Sequence, residues 1–208
     1  MKNTIIYQTI TVAFLLLGQL TYAQNNWKQV KSKDGITVYQ SENSATKKMD
    51  SKVDFTINRA LEDLIECITN FDNYKKWNSN CTQSKLLKKT DNNNWIYYSV
   101  FSAPFIQDRE LYAKATLITA DNKTYKIHIE ACPKIAAANQ KYVRINNFYC
   151  DYTITKITDN KTSVTIITSL DMAGSLSANM VNKFSAGSLL TTFSNLLNQC
   201  KKQLLASK

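Results

Sequence analysis

Few side chains in this chain of 208 residues have the chemistry of a catalytic or metal-binding group. The one histidine, His128, excludes most histidine-based triads and every metal site with several histidine ligands. The five cysteines contain no C-x-x-C pair, which excludes zinc-ribbon and thioredoxin-like sites. Four glycines argue against a glycine-rich phosphate loop. The sequence therefore predicts no metal and no cofactor.

General acid–base catalysis needs two ionisable groups that converge on the substrate. His128 falls on the polar row of a predicted strand, so we expect it at the surface. No two acids fall on a row that is predicted to face inward. Tyr98 and Tyr152 are the remaining proton donors, and buried tyrosines are usually structural. These residues predict a protein that is not an enzyme.

The composition is that of one globular domain of 23.7 kDa, with 44% hydrophobic and 20% charged residues. It excludes a disordered chain, a collagen-like repeat and a coiled coil. A chain of this size buries enough apolar surface to fold without disulfides. We therefore expect mostly buried free thiols, with at most one disulfide, at Cys67, Cys81, Cys132, Cys150 and Cys200.

The first 23 residues have the pattern of a secretory signal peptide. Lys2 supplies the positive charge, and residues 5–17 form an apolar stretch shorter than the roughly 20 residues that span a bilayer. Thr21-Tyr22-Ala23 is typical of a cleavage site. We expect cleavage near Ala23 and a soluble periplasmic or secreted protein of 185 residues. The alternative is an uncleaved N-terminal anchor.

Without that segment, the chain carries 25 basic and 16 acidic side chains and a net charge of +9. Its lysine pairs are scattered, which is typical of a solvated surface. The alternative is a transient attraction to an anionic membrane. Export argues against nucleic acid as a partner, and we expect a monomer. The pairs are Lys47-Lys48, Lys75-Lys76, Lys88-Lys89 and Lys201-Lys202.

Alternating apolar and polar residues predict a series of strands after a turn at Gly35. A helix capped by Asn58 is predicted after the second strand, with Leu61, Leu64 and Ile68 on one face. The turns rich in Asp and Asn that follow are short, so they predict an antiparallel meander. The predicted strands are 36–39, 52–57, 84–88, 95–101, 110–118, 125–131, 142–145, 152–157 and 164–170.

A long helix is predicted over residues 177–203, and it must cover the apolar strand faces. Its apolar residues form two stripes that point to nearly opposite sides. We expect a break near Gly187, since glycine weakens a helix by about 1 kcal/mol. The alternative is one straight helix that is buried on both flanks. The stripes are Leu176, Met180 and Phe184, and then Phe193, Leu196, Leu197, Cys200 and Leu204.

This order of elements resembles the α+β helix-grip fold, in which a curved antiparallel sheet wraps around a long C-terminal helix. Five segments in this order carry a more specific resemblance: Trp27 with Asp34–Tyr39, Phe71–Trp77, Pro104 with Arg109-Glu110, Lys141–Arg144, and Asp171–Ser177 with Met180–Asn182. Through them, residues 27–205 are similar to START domains, the lipid-transfer family named after the steroidogenic acute regulatory protein. The sequence departs from the family pattern at Glu110, where Asp is usual, and in Asp171–Ser177, which lacks one glycine and the proline.

The resemblance implies a cavity between the sheet and the last helix that binds, and in some members transfers, one lipid or other hydrophobic molecule. Apolar burial would stabilise such a ligand by about 25 cal/mol per Å². For each lining residue the alternative is an ordinary filled core. The residues expected to line the cavity are Tyr98, Val100, Arg109, Ile127, Ile129, Val143, Ile145, Val164, Ile166, Met172, Met180 and Phe184.

Two roles are open for Arg109. Beneath the cavity it would contact a ligand hydroxyl or carboxylate, whereas a structural Arg109 would pair with Asp108, Glu110 or a distant acid. The match to the family motif favours the structural role. Some sterol-binding members carry a cavity arginine six residues further on, where this chain has Ala115, so the resemblance does not extend to sterol specificity.

Two other functions remain open beside the lipid carrier. An enzyme on the same fold would act on a hydrophobic substrate and would need paired ionisable groups inside the cavity. An interaction module would have an interior filled by its own side chains and would act through its surface.

Overall fold

A computed structural model describes residues 26–42, 49–104, 106–137, 139–171 and 178–206, without the side chains of 178–184 and 202–206. The predicted signal peptide lies outside the described residues. The elements are β1 (Lys28–Lys33), β2 (Ile36–Glu42), β3 (Met49–Ile57), α1 (Leu61–Thr69), a 3₁₀ turn (Phe71–Lys76), β4 (Cys81–Lys89), β5 (Asn94–Phe101), β6 (Arg109–Thr119), β7 (Thr124–Ala131), a second 3₁₀ turn (Pro133–Ile135), β8 (Val143–Arg144), β9 (Phe148–Thr158), β10 (Lys161–Leu170) and α2 (Ala178–Ala206).

The strands form one open, curved sheet in the order β1-β2-β3-β10-β9-β7-β6-β5-β4. All neighbours on that path are antiparallel, and the short β8 runs parallel to β6. Tight turns join β4 to β5, β6 to β7 and β9 to β10, at the positions that the Asp- and Asn-rich segments predict. The predicted α+β helix-grip fold is confirmed.

The register of the sheet aligns one continuous row of buried side chains. Directly opposite residues of antiparallel strands lie on the same face. The row contains Val38, Val53, Ile166, Tyr152 and Ile127, each at most 3% exposed. We call this side of the sheet the concave face, because α2 packs against it, and the other side the convex face.

The sequence does not predict edge strand β1, because its six residues show no alternation of apolar and polar side chains. In the structure all six are exposed. It forms through its pairing with β2. The connecting turn places Asp34 at φ 51° and Gly35 at φ 79°. Two successive positive φ angles are typical of the type I′ turn, for which Asp-Gly is a preferred pair.

Helix α1 begins at Leu61 and not at the predicted cap, Asn58. Its N-cap is Ala60, which makes no side-chain hydrogen bond, while Glu62 and Asp63 lie in the first turn, near the positive end of the helix dipole. Leu61, Leu64, Cys67 and Ile68 are buried, as the helical spacing predicts. The helix therefore packs over one end of the concave face.

Helix α2 runs without a break through Gly187, so the predicted break is wrong. Hydrogen bonds from both flanks hold this part of the helix. On one side the Gln40 amide donates to the Ser185 hydroxyl at 2.8 Å, and on the other the Asn80 amide donates to the Ser188 hydroxyl at 2.6 Å. These contacts offset the modest helix penalty of one glycine. Within the described residues, no helix is long and apolar enough to cross a bilayer.

All five cysteines are free thiols, and four of them are buried, as the sequence predicts. Cys67 of α1 and Cys200 of α2 hydrogen-bond to each other through their side chains. This contact joins the two helices in the interior, since both thiols are buried.

The contact between α2 and the concave face depends on Phe193, which is 2% exposed and lies 5.7 Å from the Phe55 ring and 6.4 Å from the Tyr152 ring. We expect Phe193→Ala to lower the free energy of unfolding by about 3–5 kcal/mol, measured by urea denaturation. Asn198→Ala, at an exposed position of the same helix, is the control. Equal stability of the two variants would contradict this packing.

Candidate ligand-binding site

Four of the predicted lining residues lie on the concave face. Ile127, Ile129, Val164 and Ile166 are each at most 2% exposed, and all belong to the main apolar cluster. Their positions follow from the alternation along β7 and β10 and from the register of the strands between them. They provide the apolar floor over which α2 lies.

Two further predicted residues come from β8 and the residue after it. Ile145 is 1% exposed and belongs to the same apolar cluster. Val143 is half-buried and lies opposite Arg109, at the end of β6. The parallel attachment of β8 to β6 thus brings this segment to the rim of the concave face.

Tyr98 and Val100 lie on the convex face, so the prediction that they line the cavity is wrong. Tyr97, the neighbour of Tyr98, stacks on Phe71 of the first 3₁₀ turn, with ring centroids 4.2 Å apart. The Tyr98 ring instead packs beside Tyr112, at 4.8 Å, on the convex face. Both rows of β5 are apolar or aromatic, so the alternation alone could not distinguish the two faces.

Three of the predicted lining positions belong to the segment 172–184. Met172 lies outside the described residues, and so do the side chains of Met180 and Phe184. Their backbone places the last two in the first turns of α2.

Arg109 is buried on the concave face at the end of β6, where it lies opposite Phe101. Its guanidinium donates a hydrogen bond to the carbonyl oxygen of Gln107. Burial lowers the pKa of Arg109, and the nearby Asp108 carboxylate acts in the opposite direction. Its neighbour Glu110 points to the other face and does not pair with it.

Glu110 forms a buried ion pair with Arg144 on the convex face. The Arg144 Nε donates to Glu110 Oε1 at 2.7 Å, and the two side chains are 12% and 1% exposed. Arg144 also donates to the backbone carbonyls of Pro133, Ala136 and Ala137. The acidic residue of the family-like Arg-Glu motif therefore anchors the segment that follows β7.

His128 lies on the convex face and is partly exposed, as its polar row predicts. Its Nδ1 is 2.5 Å from the Asp151 carboxylate, and its Nε2 is 3.8 Å from that of Glu130. His128 is thus separated from the concave face by the thickness of the sheet. Among the described residues, no cluster of three or more potential ligands could hold a metal ion.

Sequence reasoning missed a group of polar side chains on the concave face, beneath the first 3₁₀ turn. Tyr97 and Ser99 are fully buried on β5, and Trp77 is 1% exposed just after the turn. The Tyr97 hydroxyl and the Trp77 indole N–H have no hydrogen-bond partner among the described residues. The signal was the second aromatic row of β5, which places Tyr97 and Ser99 on the same face as Trp95.

Tyr74 lies at the centre of this group. Its ring centroid is 4.6 Å from that of Trp77 and 5.8 Å from that of Tyr97. The Tyr74 hydroxyl accepts a hydrogen bond from the Asn78 amide at 2.7 Å. Ser99 lies close enough to the Cys81 thiol to lower the pKa of that thiol. This effect opposes the larger effect of burial, which raises the same pKa. We call Trp77, Tyr97 and Ser99 the polar trio.

Titratable groups near the polar trio are held in their neutral forms. Burial raises the pKa values of Tyr97 and Tyr152 well above their usual value. Burial also raises the pKa of Cys81 to about 11 and that of Cys150 to about 12. Apart from Arg109 at the first position of β6, the concave face is therefore an apolar surface with a few uncharged polar groups, the composition typical of small-molecule sites.

The comparisons with known proteins agree with this geometry. A family model described as the START domain matches residues 10–204. The STAR-related lipid transfer protein of Xanthomonas axonopodis superposes with a TM-score of 0.78 at 20% identity, covering 84% of this chain and 98% of that one. Human StAR-related lipid transfer protein 5 gives 0.75 at 16% identity over 95% of both chains. An uncharacterised protein of Pseudomonas aeruginosa is 22% identical over 184 residues, which are 86% of this chain and 88% of that protein.

Glu110→Gln is expected to destabilise the fold, because it leaves the Arg144 guanidinium buried without its counter-charge. The expected loss is about 3–5 kcal/mol of unfolding free energy, measured by urea denaturation. Glu130→Gln removes a carboxylate of the exposed His128 contact and should change stability by less than about 1 kcal/mol. If both variants lose the same amount, the ion pair does not have this role.

Stability should fall above pH 9, because buried thiols resist ionisation. Cys81 and Cys150 keep their protons in the folded state, whereas unfolded thiols release theirs near pH 9. Their contribution is full below pH 9 and decreases by up to about 1.4 kcal/mol per pH unit for each thiol as the pH rises further. Urea denaturation at pH 8, 9 and 10 measures this slope. A Cys81→Ala/Cys150→Ala variant should show a shallower slope, and an unchanged slope would contradict the assignment.

Proposed function

Since the chain belongs to the START domain family, we propose that it binds one lipid or other hydrophobic small molecule between the concave face and α2, as a non-catalytic carrier. A carrier site needs apolar area to stabilise its ligand and a few polar groups to orient it. The concave face has both. One fold can host many functions, so the function of this domain depends on the residues of its concave face.

The observation that carries the proposal is the apolar concave face, together with two buried polar atoms, the Tyr97 hydroxyl and the Trp77 indole nitrogen, that have no hydrogen-bond partner among the described residues. Buried polar groups in folded proteins are almost always hydrogen-bonded. A core that only stabilised the fold would gain from replacing the Tyr97 hydroxyl and the Trp77 indole by apolar groups of similar shape. Their retention on this face therefore supports a function besides stability.

The placement of the acids supports a carrier rather than an enzyme. Among the described residues, the buried acids are Asp50 and Glu110, and both belong to the convex face. The tyrosines and thiols of the concave face stay protonated at neutral pH. Acid–base catalysis on a ligand needs a group that exchanges protons near the working pH.

Export and a transient membrane contact complete the proposal. The signal-like N-terminus would direct the chain to the periplasm or out of the cell, as a monomer that begins near Gln24. The excess of basic side chains would favour short encounters with anionic lipid surfaces over neutral ones. Cell fractionation, together with the N-terminal sequence of the recovered protein, tests the first part.

Purified protein should carry about one equivalent of a hydrophobic molecule, detected by native mass spectrometry and identified after organic extraction. Ala113→Phe places bulk beside Tyr97 on the concave face and should lower the amount bound severalfold. Lys114→Phe, the next residue on the opposite and exposed face, is the matched control. Circular dichroism verifies that both variants are folded.

Two results would contradict the carrier. The first is purified wild-type protein that carries no lipid and takes up none from phosphatidylglycerol or phosphatidylcholine vesicles. The second is an Ala113→Phe variant that unfolds, together with a wild-type protein that binds nothing. A core that is already filled by its own side chains tolerates added bulk poorly. An interaction module with a solid interior would then be the better description.

A further inference from the structure

A pair of thiols lies at the contact between the two helices. Cys67 belongs to α1 and Cys200 to α2, and the two helices pack against each other. The two side chains share a hydrogen bond, and the residues are 5% and 1% exposed. Both belong to the main apolar cluster. The fold thus brings together two cysteines that are far apart in the sequence.

The other cysteines have partners of a different kind. The Cys81 thiol donates to the Gln83 carbonyl oxygen at 3.1 Å, and the Cys150 thiol hydrogen-bonds to the Tyr152 side chain. Cys132 is partly exposed and directly follows β7. Among the described residues, the contact between α1 and α2 is therefore the one place where two thiols hydrogen-bond to each other.

The position of the two thiols suits a covalent bond. A disulfide needs sulfur atoms about 2 Å apart and β-carbons about 3.8 Å apart. Thiols in hydrogen-bond contact are already neighbours, so rotation of the side chains and a small approach of the helices bring them into range. Both cysteines stand inside helices, so packing against the apolar layer fixes their positions.

The two thiols have different parts in such a reaction. The hydrogen bond from Cys200 lowers the pKa of Cys67, burial opposes this effect, and the nearby Arg59 guanidinium supports it. The same hydrogen bond and burial raise the pKa of Cys200. A thiolate is the nucleophile in disulfide exchange, so Cys67 attacks first and Cys200 resolves the mixed disulfide.

We propose that Cys67 and Cys200 form a disulfide bond when the chain folds in an oxidising compartment, and that this bond fastens α2 to α1. In a reducing cytosol the same pair stays as two thiols. Export, which is part of the proposed function, would supply the oxidising compartment. The bond ties the C-terminal half of α2 to α1 and leaves the N-terminal end of α2, at Ala178, unlinked.

The oxidant is a small disulfide such as oxidised glutathione. The Cys67 thiol loses its proton to water and attacks one glutathione sulfur, and the other glutathione leaves as a thiolate. Cys200 then loses its proton and attacks the Cys67 sulfur, which releases the second glutathione. Two protein thiols are oxidised, one glutathione disulfide is reduced, and the two released thiolates take up the two protons. Because both thiols are buried in the folded chain, the exchange takes place during folding, before α2 covers them.

Oxidative refolding of the purified chain tests the bond directly. The reduced chain is unfolded in urea and diluted into a buffer of oxidised and reduced glutathione, and its remaining thiols are alkylated under denaturing conditions. We expect two fewer alkylated thiols than in a sample refolded with a reductant. Peptide mapping by mass spectrometry should show one linked pair of peptides, which contain Cys67 and Cys200.

Three variants assign the bond to this pair. Cys67→Ala and Cys200→Ala should each lose the linked peptides, and the remaining thiol of the pair should be alkylated. Cys132→Ala removes the partly exposed cysteine, so it is the matched control and should form the bond as the wild type does.

Thermal unfolding measures the effect of the bond on the fold. A disulfide that closes a long loop stabilises a protein mainly by restricting the unfolded chain. The oxidised wild type should therefore unfold at a Tm about 5–15 °C above that of the reduced wild type. Cys67→Ala and Cys200→Ala should show no such difference between oxidising and reducing buffer, whatever their own stability.

Three results would overturn the inference. They are alkylation of all five cysteines after oxidative refolding, a linked pair other than Cys67 with Cys200, and an oxidised wild type whose Tm is equal to or below that of the reduced one. None of these measurements involves a bound lipid. The carrier can therefore fail while the disulfide stands, and the disulfide can fail while the carrier stands.

Discussion

The burial of one sheet face under a single helix is the constraint on which the rest of the structure depends. Antiparallel register aligns apolar side chains from β2 to β7 on one side, and a face of that size cannot stay in contact with water. Helix α2 covers it through Phe193, between Phe55 and Tyr152. The flanking contacts of Ser185 and Ser188 then hold the helix in place around Gly187.

The same burial makes the polar groups of the concave face informative. In water, the Tyr97 hydroxyl and the Trp77 indole would be solvated at no cost, but inside the domain each needs a partner. Tyr74 has such a partner in Asn78, so the region is not uniformly short of hydrogen bonds. Among the described residues, hydrogen-bond satisfaction therefore differs between neighbours, since Tyr74 has a partner and Tyr97 and Trp77 have none.

The convex face contains the stronger electrostatics. Glu110 and Arg144 form their ion pair there, and Arg144 fixes the segment after β7 through three backbone carbonyls. His128 and Asp151 meet on the same side. With these charged groups on the convex side, the concave face is mainly apolar, and Arg109 at the first position of β6 is its buried cation among the described residues.

The sequence by itself determined the strands other than β1, the Asp-Gly turn, the C-terminal helix and the concave positions of Ile127, Ile129, Val164 and Ile166, because each depends on local periodicity or turn chemistry. It could not assign Tyr97 and Tyr98 to their faces, since both rows of β5 are apolar and only pairing with β6 distinguishes them. Edge strand β1 and the continuity of α2 through Gly187 likewise depend on contacts with distant residues. Tertiary structure alone decided which buried polar groups lack a partner among the described residues, because satisfaction of a hydrogen bond is a property of the neighbours in space.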